Sequence, residues 1–407
     1  MNECAAVNSG EQVVIAMTGI WLVALAVIAI ALPCQAQDAE LVDSYLSIID
    51  EIEARDGAYG ADLSEPLLGL ATALNARGQF ADAIPMFKRG VHLARINDGL
   101  YSASQLPHLE GEIAAHIGVG NYAEADERYR YLYRVQKRTL GNTDAYTRAL
   151  LDHADWDFRA YQLGLDDNPY ARLLTMQKRY DQALANISQN EQANAESLLA
   201  PMRGLLRTRY LIANYDGEAM RQTLYADEFT RQQRLREFEM NQLRNYEYGR
   251  DLILHMYKLQ QALVEHQGYD AATPAQSLAR LGDWHLYHGK RFAALEAYNA
   301  ALAELAALDD AQQQTARLFA EPVALPSIDG LLALPQRLDS TTGDVMIEFS
   351  VSSRGQVYDI ERIDDNEAFD RTASSLTRQL RRTRFRPRFA DGQPVETTDI
   401  VYAYDIQ

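Results

Sequence analysis

Cysteine is nearly absent from this chain of 407 residues, and its two cysteines, Cys4 and Cys34, both lie near the start. The rest of the chain therefore contains no thiol, which excludes thiol catalysis, Cys-x-x-Cys redox chemistry and cysteine-ligated zinc from it. A chain without free thiols suits an oxidising compartment, where a stray cysteine forms wrong disulfides.

Positive charge is also scarce, because 39 lysines and arginines stand against 57 aspartates and glutamates, and the net charge is -18. Proteins that bind nucleic acids present a basic surface to the phosphate groups. We therefore expect no nucleic-acid partner.

Catalytic motifs are missing as well: the sequence contains no GxSxG, no HExxH and no glycine-rich phosphate loop. His285 and His288, three residues apart near Asp283, could supply two metal ligands, but no third ligand lies close to them in the sequence. The glycine-containing stretch 118–122 lacks the preceding strand that a dinucleotide site requires. We predict a protein without catalytic activity, metal or cofactor.

Long hydrophobic runs are absent apart from one, VVIAMTGIWLVALAVIAIALP, at residues 13–33. Its length suits either a membrane-spanning helix or the core of a secretory signal. Residues 1–36 are therefore predicted to be a signal peptide or a membrane anchor, and both alternatives send the following residues across a membrane.

Cleavage of the signal is expected before Gln37, because Cys34-Gln35-Ala36 has the small-x-small pattern of a signal-peptidase site. Glu3 and Glu11, with no Lys or Arg before the apolar run, are atypical of a signal and keep the anchor interpretation open. A lipoprotein site at Cys34 is a third interpretation, to which the preceding residues Ala31 and Pro33 are poorly suited.

Apolar residues recur at three- and four-residue spacing from about residue 38 to 310, which predicts helices throughout. Within this stretch one pattern of small and aromatic residues occurs four times. Its copies are Leu70, Ala71, Leu74, Gly78, Phe80, Ala83, Phe87 and Gly90; then Gly120, Tyr122, Ala125, Tyr129 and Leu132; then Ala171, Leu174, Tyr180, Ala183 and Ile187; and finally Leu281, Gly282, Gly289, Ala294, Tyr298 and Ala301.

This pattern resembles the tetratricopeptide repeat family, whose helix-turn-helix units carry a small-aromatic-small signature. The resemblance implies a mainly α fold over residues 38–312, in which stacked helical hairpins cover one another and hold a protein partner in a concave face. A second echo, between 154–158 and 282–286, marks the first helices of two units. Residues 229–266 are predicted to form one long helix.

Residues 313–342 contain Pro322, Pro326 and Pro335 and are predicted to be a linker. A small α+β domain is predicted over 343–407. Its pattern is strand, strand, helix, strand: alternating apolar residues in 343–351, 356–363 and 398–406, and apolar residues at helical spacing from Phe369 to Leu380.

That order resembles the C-terminal domain of TonB-family energy transducers. The matching motifs are Gly343-x-Val345, Phe349-x-Val351, Gly355-x-Val357, Phe385-Arg386-Pro387 and Gly392-x-Pro394-Val395. The resemblance implies a domain in the periplasm of a Gram-negative bacterium that pairs with an extended peptide of an outer-membrane transporter or another envelope protein. It also implies that the closing strand is the edge offered to the partner, which makes Thr398, Ile400, Tyr402 and Tyr404 candidate binding residues.

Six arginines crowd into residues 378–388 of this acidic chain. The first three, Arg378, Arg381 and Arg382, suit the end of a helix, whose dipole favours cations. Three more, Arg384, Arg386 and Arg388, alternate along an extended segment. They either decorate a short strand or form an electropositive patch for an anionic partner, such as an acidic peptide, a cell-wall polymer or a lipid headgroup.

We predict from these patterns a non-enzymatic periplasmic scaffold that binds one protein with its helical repeats and another by strand addition to its C-terminal domain. The alternative is a TonB-type energy transducer for outer-membrane transport, held in the inner membrane by 13–33. Two departures weigh against the alternative. The chain has only twelve scattered prolines and no proline-rich spacer, and the segment Leu334–Leu338 lacks the aromatic residue that usually opens the domain.

Overall fold

The computed structural model describes residues 40–190, 193–217 and 228–406. The predicted signal or anchor lies outside these residues, and none of the helices within them is long and apolar enough to cross a membrane. The chain divides into two compact units, the first ending at Gly141 and the second beginning at Asn142. The predicted boundaries at 312 and 343 both fall inside the second unit.

The first unit is built from helices that pack against their sequence neighbours. They are α1 (40–56), α2 (Ser64–Ala76), α3 (Phe80–Asn97), α4 (Leu106–Gly118) and α5 (Tyr122–Thr139). Gly78 and Gly120, at φ 71° and 75°, make the tight turns of the α2–α3 and α4–α5 hairpins. Glycine adopts this left-handed conformation without strain. The first two copies of the sequence pattern are therefore helical hairpins, as predicted.

Small residues set the spacing of these helices. Ala83 is fully buried, and a Cβ on Gly111 would lie 2.3 Å from the ring of Phe87. Leu67, Leu70 and Phe87 share one core cluster with Ala83. The hairpins pack as closely as the pattern of small residues indicates.

The second unit begins with more helices. They are α6 (Asp144–Gln162), α7 (Pro169–Gln189), α8 (Leu199–Ala213), α9 (Glu228–Gln267), α10 (Thr273–Tyr287), α11 (Arg291–Ala306) and α12 (Ala311–Phe319). The α9 helix confirms the long helix predicted at 229–266. The α10–α11 hairpin turns at Gly289, φ 72°, and confirms the fourth copy. As expected, α6 and α10 are the first helices of their hairpins.

The third copy of the pattern was placed wrongly. All its residues, from Ala171 to Ile187, lie in the uninterrupted helix α7, and the intervening 175–179 contains no glycine or proline that would favour a turn there. The real hairpin joins α6 to α7 through Gly164, φ 66°. Spacing of apolar residues alone cannot distinguish one long helix from two short ones.

Short strands and a helix complete the second unit. They are β1 (Val323–Leu325), β2 (Ser327–Ile328), β3 (Leu331–Leu332), β4 (Val345–Val351), β5 (Val357–Arg362), α13 (Asp370–Arg382), β6 (Arg384–Arg386), β7 (Arg388–Ala390), β8 (Gln393–Val395) and β9 (Thr397–Tyr404). The main sheet is antiparallel in the order β5-β4-β9. Its apolar face packs on α13, and the alternate residues Val345, Ile347, Phe349 and Val351 are fully buried. The predicted order of strand, strand, helix and closing strand is present.

The proline-containing segment 313–342 is structured and packed. Its strand β1 pairs with β6, and β2 pairs with β3. Leu325 and Ile328 are buried in the cluster that surrounds Trp284 of α10. Apolar residues between the prolines attach this segment to both the helices and the C-terminal strands.

Candidate functional site

The closing strand β9 lies at the edge of its sheet and pairs on one side with β4. Tyr402 and Tyr404 are buried under α13, and the ring of Tyr402 lies 4.9 Å from that of Phe349. Ile400 is half-buried against the same core, whereas Thr398 is exposed. Of the four candidate residues, the two tyrosines therefore anchor the strand, and a partner could reach Thr398 and the backbone.

One end of the outer edge of β9 is already occupied. The backbone N–H of Leu338 donates a 2.8 Å hydrogen bond to the carbonyl of Ala403, and the Arg337 guanidinium lies over the Tyr402 ring at 4.7 Å. Since backbone groups alternate in direction along a strand, Val401 also directs its N–H and C=O outward. The segment Leu334–Leu338 thus covers the C-terminal end of the edge.

Both edge strands contain a β-bulge beside an aspartate in the left-handed conformation. Asp359 of β5 has φ 48° and Asp399 of β9 has φ 57°. Bulges twist an edge and limit how far another strand can pair with it. Between the bulge at Asp399 and the bond to Ala403, the outward backbone of Val401 is the part of this edge that no described residue pairs with.

Arg386 is buried rather than part of a surface patch. Its Nη1 lies 3.3 Å from Oδ2 of Asp283 on α10, and the Tyr298 hydroxyl donates a 2.9 Å hydrogen bond to Oδ1 of the same carboxylate. Burial raises the pKa of Asp283, although Arg386 and Tyr298 act to lower it. Arg386 therefore fastens β6 to the helical hairpin α10–α11.

The three candidate arginines are not brought together. Arg386 is enclosed, Arg388 is half-buried, and Arg384 is exposed on a cleft described below. Strand pairing explains part of the separation, because Arg384 and Arg386 belong to β6, whereas Arg388 starts a different pair, β7 with β8.

A second group of the same three residue types occurs on the preceding hairpin. Arg207 of α8 donates to Oδ1 of Asp155 at 2.7 Å and to the hydroxyl of Tyr180 at 2.6 Å. The cation beside the α10–α11 hairpin, Arg386, therefore comes from strand β6. The equivalent cation beside the α6–α7 hairpin, Arg207, comes from helix α8. The sequence did carry a signal for this arrangement, since Asp155 and Asp283 each precede a tryptophan in the two echoed segments.

The first unit has its own groove, of about 1040 Å³, between α1, α2 and the start of α4. Leu41 and Ile48 are exposed along one wall although they are apolar, and Leu68 lies on the other. Asp62 and Glu65 are the carboxylates among its lining residues. The groove is therefore apolar with acidic groups at its rim.

One buried histidine in each unit, His108 and His285, has a side-chain hydrogen-bond partner. The Nε2 of His108 lies 3.0 Å from the Ser64 hydroxyl, but its Nδ1 has no hydrogen-bond partner among the described residues. Gly90 lies against that nitrogen, where a catalytic dyad would need an orienting acid. His285 bonds to the Tyr246 hydroxyl at 2.9 Å, and burial lowers its pKa to about 4. Within 40–190, 193–217 and 228–406, no three His, Cys, Asp or Glu residues are arranged to hold a metal.

No protein-family model matches the chain, and no curated protein matches it. Solved structures that are similar to it include the following two. BtubC (BKLC) from P. vanneervenii is 14% identical, with 67% of this chain and 92% of that chain covered and a TM-score of 0.36. A kinesin light chain variant from Podosopora anserina with nearly identical TPR-like repeats is 17% identical, with 60% and 94% covered and a TM-score of 0.36. Because both TM-scores are low, the description of the hairpins as tetratricopeptide-like depends on their own turns and packing.

Proposed function

We propose that this protein is a non-enzymatic scaffold for protein–protein interactions, with a TonB-like C-terminal domain that binds an extended partner by strand addition to β9. The observation that carries the proposal is the outward N–H and C=O of Val401 on an edge strand that has a strand neighbour on one side only in the described part of the chain. Main-chain hydrogen bonds to such an edge supply affinity, and side-chain contacts supply specificity.

A longer ladder requires release of the covering segment. If the N–H of Leu338 releases the carbonyl of Ala403, that carbonyl can accept a hydrogen bond from the partner strand, and the pairing extends beyond Val401. An intramolecular hydrogen bond contributes a net of roughly 0.5 to 1.5 kcal/mol to stability, so breaking the bond from Leu338 to make room for a partner strand costs little free energy.

In-cell photocrosslinking tests strand addition. A photoreactive residue at the exposed Thr398 should capture one major partner, whereas the same residue at Glu361, exposed on the opposite edge strand β5, should not. Val401→Pro removes an outward N–H without breaking the ladder to β4, and should abolish the capture. Equal capture from Thr398 and Glu361, or capture that Val401→Pro leaves unchanged, would contradict strand addition.

The scaffold is proposed to act in the periplasm, exported by residues 1–36. The apolar run at 13–33, the absence of thiols after Cys34 and the resemblance to a periplasmic domain support this location. Mass spectrometry of the mature N-terminus tests it, with a chain that begins at Gln37 expected. Retention of 13–33 would instead favour the anchored energy transducer, although packed helices stand where a transducer has its proline-rich rod.

The groove of the first unit is proposed to hold a second partner with a basic amphipathic segment, because its walls are apolar and its rim is acidic. Ile48→Glu should release this partner without loss of stability, since Ile48 is 39% exposed. An undiminished interaction after that substitution would remove the groove from the proposal.

A further inference from the structure

The second unit contains a cleft of about 800 Å³ between its helices and its C-terminal region. One wall is the polar face of α13 with the start of β6, where Arg378, Arg382 and Arg384 line the cleft. Parts of α8, α9 and α10 and the β1–β3 segment form the rest. This volume is in the range of clefts that enclose small ligands or short peptides, roughly 300 to 1,000 Å³.

The cleft concentrates unneutralised positive charge in an acidic protein. No aspartate or glutamate of the described chain lines it, and none of the three arginines forms an ion pair there. All three side chains are exposed to solvent. Clefts lined by charge of one sign focus the electric field and attract ligands of the opposite sign.

The helix dipole explains only part of this arrangement. Arg381 and Arg382 both stand in the last turn of α13, where cations are favoured, but Arg381 does not line the cleft. Arg384 lies beyond the helix, in β6, and Arg378 one turn before its end. The helix dipole therefore does not explain why all three arginines line the same cleft.

The spacing of the arginines fits carboxylates on an extended chain. Arg378 and Arg382 are four residues apart on one helix face, which separates their Cβ atoms by about 6 Å. Alternate side chains on one face of an extended peptide are about 6.6 Å apart. Two acidic side chains in positions i and i+2 of a peptide can therefore each meet one guanidinium, which binds carboxylates in a fork.

The other walls suit the remainder of such a peptide. Asn245 is 1% exposed and lines the cleft, its Nδ2 donates to the carbonyl of Arg209, and its Oδ1 has no hydrogen-bond partner among the described residues. A buried acceptor left without a donor costs free energy. Leu211, Leu325 and Leu332 supply apolar contacts for the side chains between the acidic ones.

We propose that this cleft binds an acidic segment of a partner protein in extended form, with carboxylates at alternate positions held by Arg378, Arg382 and Arg384. The site is distinct from the edge of β9, so it goes beyond strand addition. It also answers why an acidic chain concentrates arginines in 378–388, and it relocates the anionic contact from the predicted Arg384, Arg386 and Arg388.

Fluorescence anisotropy with the full chain tests the proposal. The probe is a labelled hexapeptide with glutamate at its first, third and fifth positions and leucine between them, and its control has glutamine instead. Saturable binding of the acidic peptide is expected, with at least a tenfold loss of affinity in Arg378→Gln/Arg382→Gln and in Arg384→Gln. A tenfold loss of affinity corresponds to about 1.4 kcal/mol of binding free energy.

Arg381→Gln is the matched control, because it removes the same charge from the same helix outside the cleft. If Arg381→Gln weakens binding as much as Arg384→Gln does, or if binding of the acidic peptide does not saturate, the cleft is not the site. Tighter binding of inorganic diphosphate or of anionic phospholipid vesicles than of the peptide would also overturn the assignment to a protein segment. Val401→Pro should leave peptide binding intact, which separates this proposal from strand addition.

Discussion

The ion pair between Arg386 and Asp283 allows the attachment of the C-terminal strands to the helices to be tested. We consider Arg386→Met, which retains the length of the side chain and removes its charge. Both partners are about one-tenth exposed, so the carboxylate of Asp283 would lose its ion-pair partner without gaining water, and Arg280 would be left as the cation that still lowers its pKa. The remaining hydrogen bond from Tyr298 cannot neutralise it.

Removal of one partner of a buried ion pair typically destabilises a protein by about 3 to 5 kcal/mol. For a unit of this size, 1 kcal/mol corresponds to roughly 2 to 4 °C in melting temperature, so a fall of about 6 to 20 °C is expected. The double variant Arg386→Met/Asp283→Asn removes both charges and keeps an acceptor for Tyr298. It should recover most of the loss, because no uncompensated charge then remains in the buried site.

The loss should also depend on pH. Burial raises the pKa of Asp283 above the 3.8 of an unfolded aspartate, so the folded chain holds this proton more tightly. Stability linked to this group therefore falls as pH rises through the interval above 3.8, and without Arg386 the interval widens. The deficit of Arg386→Met should be larger at pH 8 than at pH 5, and Asp283→Asn should abolish the difference.

Denaturant unfolding of the full chain, followed by circular dichroism, measures these quantities. The matched comparison is Asp155→Asn in the equivalent group, where the carboxylate is 68% exposed and the loss should be about 1 kcal/mol or less. A single variant Arg386→Met within about 1 kcal/mol of the wild type, or a double variant as unstable as the single one, would refute the reasoning.

Three further outcomes are expected. Ala83→Leu should lower the melting temperature, because overpacking of this buried site costs roughly 1 to 3 kcal/mol of stability. Ala81→Leu, at an exposed position two residues earlier, should not lower it. Equal effects of the two substitutions would show that Ala83 is not in the helix contact. Leu338→Pro removes the N–H that donates to the carbonyl of Ala403, and should strengthen binding of the partner captured at β9 by roughly twofold to tenfold, as measured by titration calorimetry. Weaker binding would show instead that the segment Leu334–Leu338 helps the partner to bind. Burial lowers the pKa of His153 to about 3, so below pH 6.5 the unfolded chain binds a proton that the folded chain does not, and the free energy of unfolding should fall by up to about 1.4 kcal/mol per pH unit between pH 6.5 and 3. His153→Gln should flatten this dependence in denaturant unfolding at several pH values, and an unchanged slope would contradict the role of His153.

Local patterns in the sequence predicted the elements that local physics decides. Gly78, Gly120 and Gly289 mark turns because their backbone is left-handed, and the two-residue alternation from Val345 to Val351 gave the central strand its buried face. The same reasoning failed at α7, where apolar spacing matched two helices but no residue ended the first. Apolar spacing was present in that stretch, but no glycine or proline was there to mark a turn.

Contacts between distant residues could not be predicted in this way. Arg386 and Asp283 are 103 positions apart, and only packing of the strands on α10 reveals that this arginine is enclosed. The hydrogen bond from Leu338 to Ala403 could not be predicted for the same reason, because it depends on where the segment after Pro335 packs in the folded chain. The sequence placed the candidate residues Thr398, Ile400, Tyr402 and Tyr404 on one strand, as the structure also shows, but it did not indicate which of their side chains solvent can reach.

The claim that a partner strand replaces Leu338 along β9 is tested most directly by residue-resolved hydrogen exchange of the full chain with and without the captured partner peptide. The peptide should slow exchange of the Val401 amide at least tenfold and should speed exchange of the Leu338 amide, which loses its carbonyl acceptor on Ala403. Unchanged exchange at both amides while the peptide is bound would show that the partner docks elsewhere.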